Sequence, residues 1–132
     1  EKPRCVTLDP QDSGILVHEV TIDGINEPVR IKELTVMNYG NASENELEEL
    51  DIRYRKDGGD WQSVTLKDLS GISSGITFTL LRNGITLYPD QEGLFQFHAT
   101  VAPPERVPKS KYGNPVTLEL GARFHFVYLA DG

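Results

Sequence analysis

Residues 115–129 read PVTLELGARFHFVYL. Val116, Leu118, Leu120, Ala122, Phe124, Phe126 and Tyr128 alternate without a break, while Thr117, Glu119, Arg123 and His125 fall between them. That period of two marks a strand with one face in a core. At ~3.3 Å per residue the segment would run to about 50 Å, well beyond an ordinary strand. Either it bends, with Gly121 as the corner, or its Phe124–Leu129 end reaches past its own domain. Glycine inside a strand favours the bend.

A core face needs a complement, and Phe95, Phe97, Ala99 and Val101 supply one, with Gln96, His98 and Thr100 on the other side. Leu50, Ile52 and Tyr54 alternate with Asp51, Arg53 and Arg55 in another such strand. Asp57-Gly58-Gly59-Asp60 follows, then Val64 and Leu66. A three-residue bulged loop over Gly58–Asp60 would set Tyr54 opposite Val64 and Ile52 opposite Leu66, with Trp61 half-exposed at the rim. Between Val29 and Tyr39 the apolar parity slips, and a bulge near Lys32-Glu33 would restore one inward face. Ser43-Glu44-Asn45-Glu46 fits a capping box, which predicts one or two helical turns. Ile76, Phe78 and Leu80 begin a strand, and Asn83-Gly84 predicts a tight hairpin that pairs Leu80 with Leu87. The proline-containing stretch Ala102–Asn114 reads as a long exposed loop. Ile15–Ile22 carries aliphatics at both parities, as a strand covered on both sides would. Arg4–Leu8 is a short first strand, separated from it by the turn-rich Asp9–Gly14.

Short strands at roughly 8 to 12 residue spacing, with turn signals between them, predict an all-β, Greek-key antiparallel β-sandwich of eight or nine strands with at most one or two short helical turns. The length of 132 residues fits one domain over 1–132, in which 1–14 is an N-terminal extension or an exchanged strand. A net charge of −7 repels phosphate backbones and anionic membrane surfaces, so nucleic acid is excluded as a natural partner. No apolar run reaches the roughly 18 residues of a membrane helix, so no membrane insertion is expected. No leader precedes Glu1, so an exported chain would be the processed form. Cys5 is the single cysteine. It forms no internal disulfide, and its expected state is a small buried hydrophobe; the alternative is an intermolecular disulfide.

No phosphate-cradling glycine loop, nucleophile elbow or zinc-helix signature occurs, so no catalytic residues are assigned. His18, His98 and His125 lie on separate strands and read as surface or half-buried residues, so no metal is expected. Acidic pairs at Asp9/Asp12, Asp57/Asp60 and Asp90/Glu92 stand beside glycines. Oxygen-rich turns of this kind suit calcium, but backbone turn chemistry explains them as well, and no cofactor is expected. The run Glu44–Asp51 reads as the solvated side of a capped turn. Asn41-Ala42-Ser43 is a glycosylation sequon, with Asn41 as the acceptor. Trp61, Tyr39, Tyr88 and Tyr112 are the aromatics that could stack on a sugar ring, although they are scattered along the chain.

Leu34 to Ser43 (LTVMNYGNAS), followed by Leu50–Tyr54 and Asp57-Gly58, resembles the strand, Asn-x-Gly, loop, strand, Asp-Gly passage of immunoglobulin-like modules in bacterial and archaeal surface proteins. The resemblance covers about 25 residues. It implies an Ig-like sandwich used for adhesion, spacing or assembly, and it carries no catalytic residues. The N-terminal strands and the long last strand depart from a minimal seven-stranded module. The leading expectation is a non-enzymatic extracellular or cell-surface module, a structural or pilus-like filament subunit. It would associate with copies of itself or neighbouring domains by lending Arg4, Cys5, Val6, Thr7 and Leu8 to a neighbour's sheet. The alternative is a carbohydrate-binding module of a larger secreted enzyme, with glycans as partners.

Overall fold

The computed structural model describes residues 5–24, 26–80, 84–111 and 113–128, the last without its side chain. Two antiparallel sheets face each other as a β-sandwich. The strands are β1 (Cys5–Thr7), β2 (Ile15–Asp23), β3 (Val29–Asn38), β4 (Leu47–Lys56), β5 (Gln62–Leu66), β6 (Ile76–Thr79), β7 (Ile85–Leu87), β8 (Glu92–Val101) and β9 (Thr117–Tyr128). One sheet runs β1-β9-β3-β6, with β7 also on β3; the other runs β2-β8-β4-β5. The alternation read from sequence puts Phe95, Phe97, Ala99 and Val101 against Val116, Leu118 and Leu120, all buried in one core. The rings of Phe95 and Phe124 meet across the sheets at 4.7 Å.

β9 passes through Gly121 without leaving its sheet. It pairs with β3 from Leu120↔Asn38 to Tyr128↔Val29, so among the described residues there is neither a corner at Gly121 nor an overhang past the domain. Its length is matched by β3, whose parity slip is the expected bulge: the register shifts between Ile31 and Glu33. The glycine answers a different need. A Cβ on Gly121 would sit 2.7 Å from Tyr39 Cε2, because the tyrosine ring lies over that position. An aromatic covering a strand glycine restores the side-chain contact the glycine gives up.

Three further expectations change. The β4–β5 register sets Ile52 opposite Val64 and Tyr54 opposite Gln62. Asp57 and Gly58 both have positive φ and Gly59 N donates to Lys56 O, so the chain reverses one residue earlier than the loop expected from sequence. The resulting two-residue slip keeps parity, so the apolar pattern could not detect it. Asn83 lies outside the described residues, but the flanking strands β6 and β7 do not pair with each other as a hairpin would. β6 and β7 both pair with β3, in line, on either side of the Lys32 bulge, and Leu80 N donates to Lys32 O between them. Gly84 has φ +83°, and a Cβ there would overlap Ile31 O. Its left-handed conformation thus carries the chain along β3 and does not turn it back. In β2, the aliphatics at both parities reflect a bulge between Leu16 and His18, not cover on both sides: Ile15 pairs opposite Ala99 before it, and His18 and Val20 pair opposite Phe97 and Phe95 after it.

Ser43–Glu46 forms a single 3-10 turn over Glu44–Glu46, in which Glu46 Oε1 accepts from Ser43 N at 3.0 Å and from Ser43 Oγ at 2.9 Å. The glutamate half of the expected capping box is therefore present. β4 begins immediately after it, at Leu47.

Candidate functional site

The Asn38-Tyr39-Gly40-Asn41 segment, where β3 ends, is a polar clamp on the start of β9. Asn38 is buried; its Oδ1 accepts from Gly40 N at 2.8 Å and Glu119 N at 2.9 Å, and its Nδ2 donates to Ala42 O at 2.8 Å. Asn41 repeats the arrangement one step along: Oδ1 accepts from Thr117 N and Nδ2 donates to Pro115 O, both at 2.8 Å. The two amides replace ladder bonds that a regular strand would make. The sequon asparagine is thus a structural residue, and a glycan on Nδ2 would leave one N–H for Pro115 O. Lys111 joins the clamp by donating to Asn41 O at 2.7 Å and pairing with the buried Glu46 carboxylate. Replacing Asn41 with alanine is expected to lower stability by about 1–2 kcal/mol, since it removes two hydrogen bonds at a half-buried position; chemical denaturation checks this.

The three described aromatics in the stacking set are all exposed, but the fold does not gather them. Trp61 is 42% exposed, with the Arg55 guanidinium 4.4 Å from its ring centre. Tyr88 is 49% exposed, with Lys56 Nζ 6.0 Å from its ring centre. Arg55 and Lys56 are adjacent in β4, and each lies over a different ring. Lys56 reaches across to Thr86 O at 3.2 Å. Beside them lies a groove of about 410 Å³ lined by Arg55, Lys56, Asp60, Gln62 and Thr86. Tyr39, 61% exposed, stands apart from that pair, on a second groove of about 490 Å³. That groove is bounded by Met37, Ser74, Gly121, Arg123 and Phe124 of the β1-containing sheet and its loops, and by His18 of β2. Tyr112 lies outside the described residues.

The histidines occupy different surroundings. His18 is buried with its ring 5.5 Å from Phe97, which corrects its reading as a surface or half-buried residue; the β2 bulge turns it inward. His125 Nε2 is 2.9 Å from Thr35 Oγ1, and His98 lies between Gly14 O and Gln96 Oε1 at 3.2 Å from each. Among the described residues no three His, Cys, Asp or Glu are placed to hold a metal ion. One of the acidic turns bonds to backbone: Asp57 Oδ1 accepts from Glu92 N at 2.7 Å. Asp68 is held below its ordinary carboxylate value, chiefly by the Ser70 hydroxyl and then by Ser70 N. No helix among the described residues is long and apolar enough to cross a membrane.

β1 lies along the outer edge of β9 in its own chain, with Cys5 opposite Glu119 and Thr7 opposite Thr117. Arg4 lies outside the described residues. Cys5 is exposed, against the expectation of burial: on this edge strand Val6 packs on the core, and alternation turns Cys5 away. Leu8 is buried and donates its N–H to Val116 O at 2.8 Å.

No family model matches the chain. No curated protein matches it either. Solved structures with a similar arrangement include a Bacillus thuringiensis Cry1Da tryptic core variant at 11% identity and a TM-score of 0.46, covering 89% of this chain and 18% of that one. The C-terminal domain of a chitobiase from Bacteroides fragilis aligns at 19% identity and a TM-score of 0.37, over 83% of this chain and 64% of that one. An exo-beta-1,3-galactanase from Phanerochaete chrysosporium, solved with galactose, aligns at 12% identity and a TM-score of 0.41, over 94% and 26%. The chain thus spans less than two thirds of each of these chains.

Sequence reading singles out Tyr39 and Asn41 but misses Asn38, Glu46, Lys111 and Arg123 as parts of these sites. The Asn-x-x-Asn spacing at the end of β3 is the available signal for the clamp. Arg123 has none, because its proximity to Tyr39 depends on a pairing about 80 residues apart in sequence.

Proposed function

We propose that the chain is a non-enzymatic structural module, extracellular or on a cell surface, that assembles with copies of itself by exchanging its first strand. The observation that carries this reading is the footing of β1, which is three residues long and, among the described strands, pairs with β9 alone. Its link to β2 crosses between the sheets and contains Gln11 at φ +66°, a conformation that non-glycine residues disfavour. A short connection under backbone strain invites exchange, and a neighbour's Cys5–Leu8 would use the same register on β9. The resemblance to surface-protein Ig-like modules agrees with this role, with a filament subunit as its extended form.

The test uses a native reporter. With Glu119→Cys, the facing Cys5 lies about 4.5–5.5 Å away between Cα atoms, within reach of a disulfide. Oxidation of an exchanged assembly links different chains, giving covalent dimers or ladders on non-reducing gels. Light scattering of the unmodified protein should give a mass above the monomer at high concentration. A monomer by scattering that closes the disulfide within one chain overturns the reading.

A second reading, a carbohydrate-binding module, is favoured by Trp61. An exposed indole, covered by an Arg55 that itself lines a polar groove of about 410 Å³, can serve as a stacking platform once the guanidinium moves aside. It predicts that soluble neutral oligosaccharides quench tryptophan fluorescence, and that Arg55→Ala, which frees the ring face, alters the response.

A further inference from the structure

We propose that the groove beside Tyr39 is a binding site for a pyranose bearing a carboxylate, a hexuronate unit of an acidic glycan. This goes beyond strand exchange and uses different residues, so either reading can fail without the other.

The chemistry follows from three neighbours. The Tyr39 ring is 61% exposed; its backbone is tied to β9 by Tyr39 N donating to Glu119 O at 2.8 Å, and one side of the ring lies over Gly121. An exposed aromatic face backed by the strand is what a pyranose needs for stacking. Two residues further along β9, Arg123 lines the same groove. It is exposed and makes no ion pair among the described residues, although the chain carries a net charge of −7. An arginine fork with no acidic partner, in an acidic protein, suits a single carboxylate in two-point contact. Ser74 supplies a hydroxyl on the groove wall for ring hydroxyls, and Met37 an apolar patch. The volume of about 490 Å³ holds one or two sugar rings.

One guanidinium matches the one charge of a single hexuronate ring, and a neutral sugar would leave it without a role. The ring and the fork lie on one face because residues 119, 121, 123 and 125 share a side of β9. Thr35 and His125, bonded to each other at 2.9 Å, extend that face beside Arg123 and help fix its surroundings.

The test is titration of the full chain with trigalacturonate and, separately, with neutral galactotriose, followed by calorimetry and by NMR of the labelled protein. Trigalacturonate is expected to bind saturably, with shifts centred on Tyr39, Ser74 and Arg123. Arg123→Gln should lower its affinity tenfold or more, and Tyr39→Ala by a similar factor, while Trp61→Ala leaves it unchanged. Circular dichroism and melting of each variant verify that these surface changes leave the fold intact. Galacturonate monomer added alone tells whether a free sugar acid suffices or an oligomer is required; either result supports the site. No saturable binding, equal binding of the neutral trimer, or an unaltered affinity in Arg123→Gln overturns the proposal.

Discussion

Asn38→Ala is expected to lower the unfolding free energy by about 3 kcal/mol, seen as a reduced urea midpoint at unchanged slope. Asn38 is 3% exposed, and its amide satisfies three backbone groups, Gly40 N, Glu119 N and Ala42 O. Alanine removes all three bonds and leaves those groups without partners in a region that water enters poorly. Each orphaned group costs about 1–3 kcal/mol, and partial relaxation reduces the sum. The position also ties the end of β3 to β9, so the loss falls on the pairing that holds the sheet together. A loss below about 1 kcal/mol would show that water or a local shift replaces the amide, and the clamp would then be incidental.

The second large effect is Gly84→Ala. The residue sits at φ +83°, where a Cβ costs about 1–2 kcal/mol, and that Cβ would overlap Ile31 O and lie 2.8 Å from Lys32 Cα. These are backbone atoms at the β3 bulge, so no side chain can rotate to relieve the clash. A loss of at least about 3 kcal/mol is expected, by strain and by overpacking together. Gly14→Ala is the internal comparison: φ is +62°, but nothing lies within 4 Å of a Cβ, so only the conformational cost of about 1–2 kcal/mol applies. Equal losses at the two positions would mean that the crossing at Gly84 is not the tight approach described.

The contrast between these glycines bears on what a sequence makes legible. Alternation identifies the core faces of β4, β8 and β9, because a strand with one buried face produces a period of two and little else does. The bulge at Lys32 is legible for the same reason, as a break in that period. The hairpin register is not, since a slip by two residues leaves every face where it was. Asn83-Gly84 misleads because a glycine at positive φ serves a reversal and a close crossing equally well; only the in-line pairing of β6 and β7 with β3 distinguishes them. Gly121 misleads in a similar way, since its reason is a ring from Tyr39, placed there by non-local pairing. Residue type alone suggests a buried Cys5, and the edge position of β1 decides otherwise. The site is less legible than the fold. Exposed aromatics can be named one by one, but which of them has a cation or a groove beside it is set by contacts between distant segments.

The central place of β9 has one more consequence, for synthesis. Its partners β3 and β1 are made first, and the contact between Thr35 and His125 joins residues 90 positions apart. While the chain is being translated, β3 waits with its β9-facing edge open, and the sheet closes only after β9 has left the ribosome tunnel. At ~5–20 residues per second that interval lasts several seconds. A nascent or prematurely terminated chain therefore presents an unpaired apolar edge to its neighbours on the same message, which makes the arrival of β9 the step at which this protein either folds or aggregates.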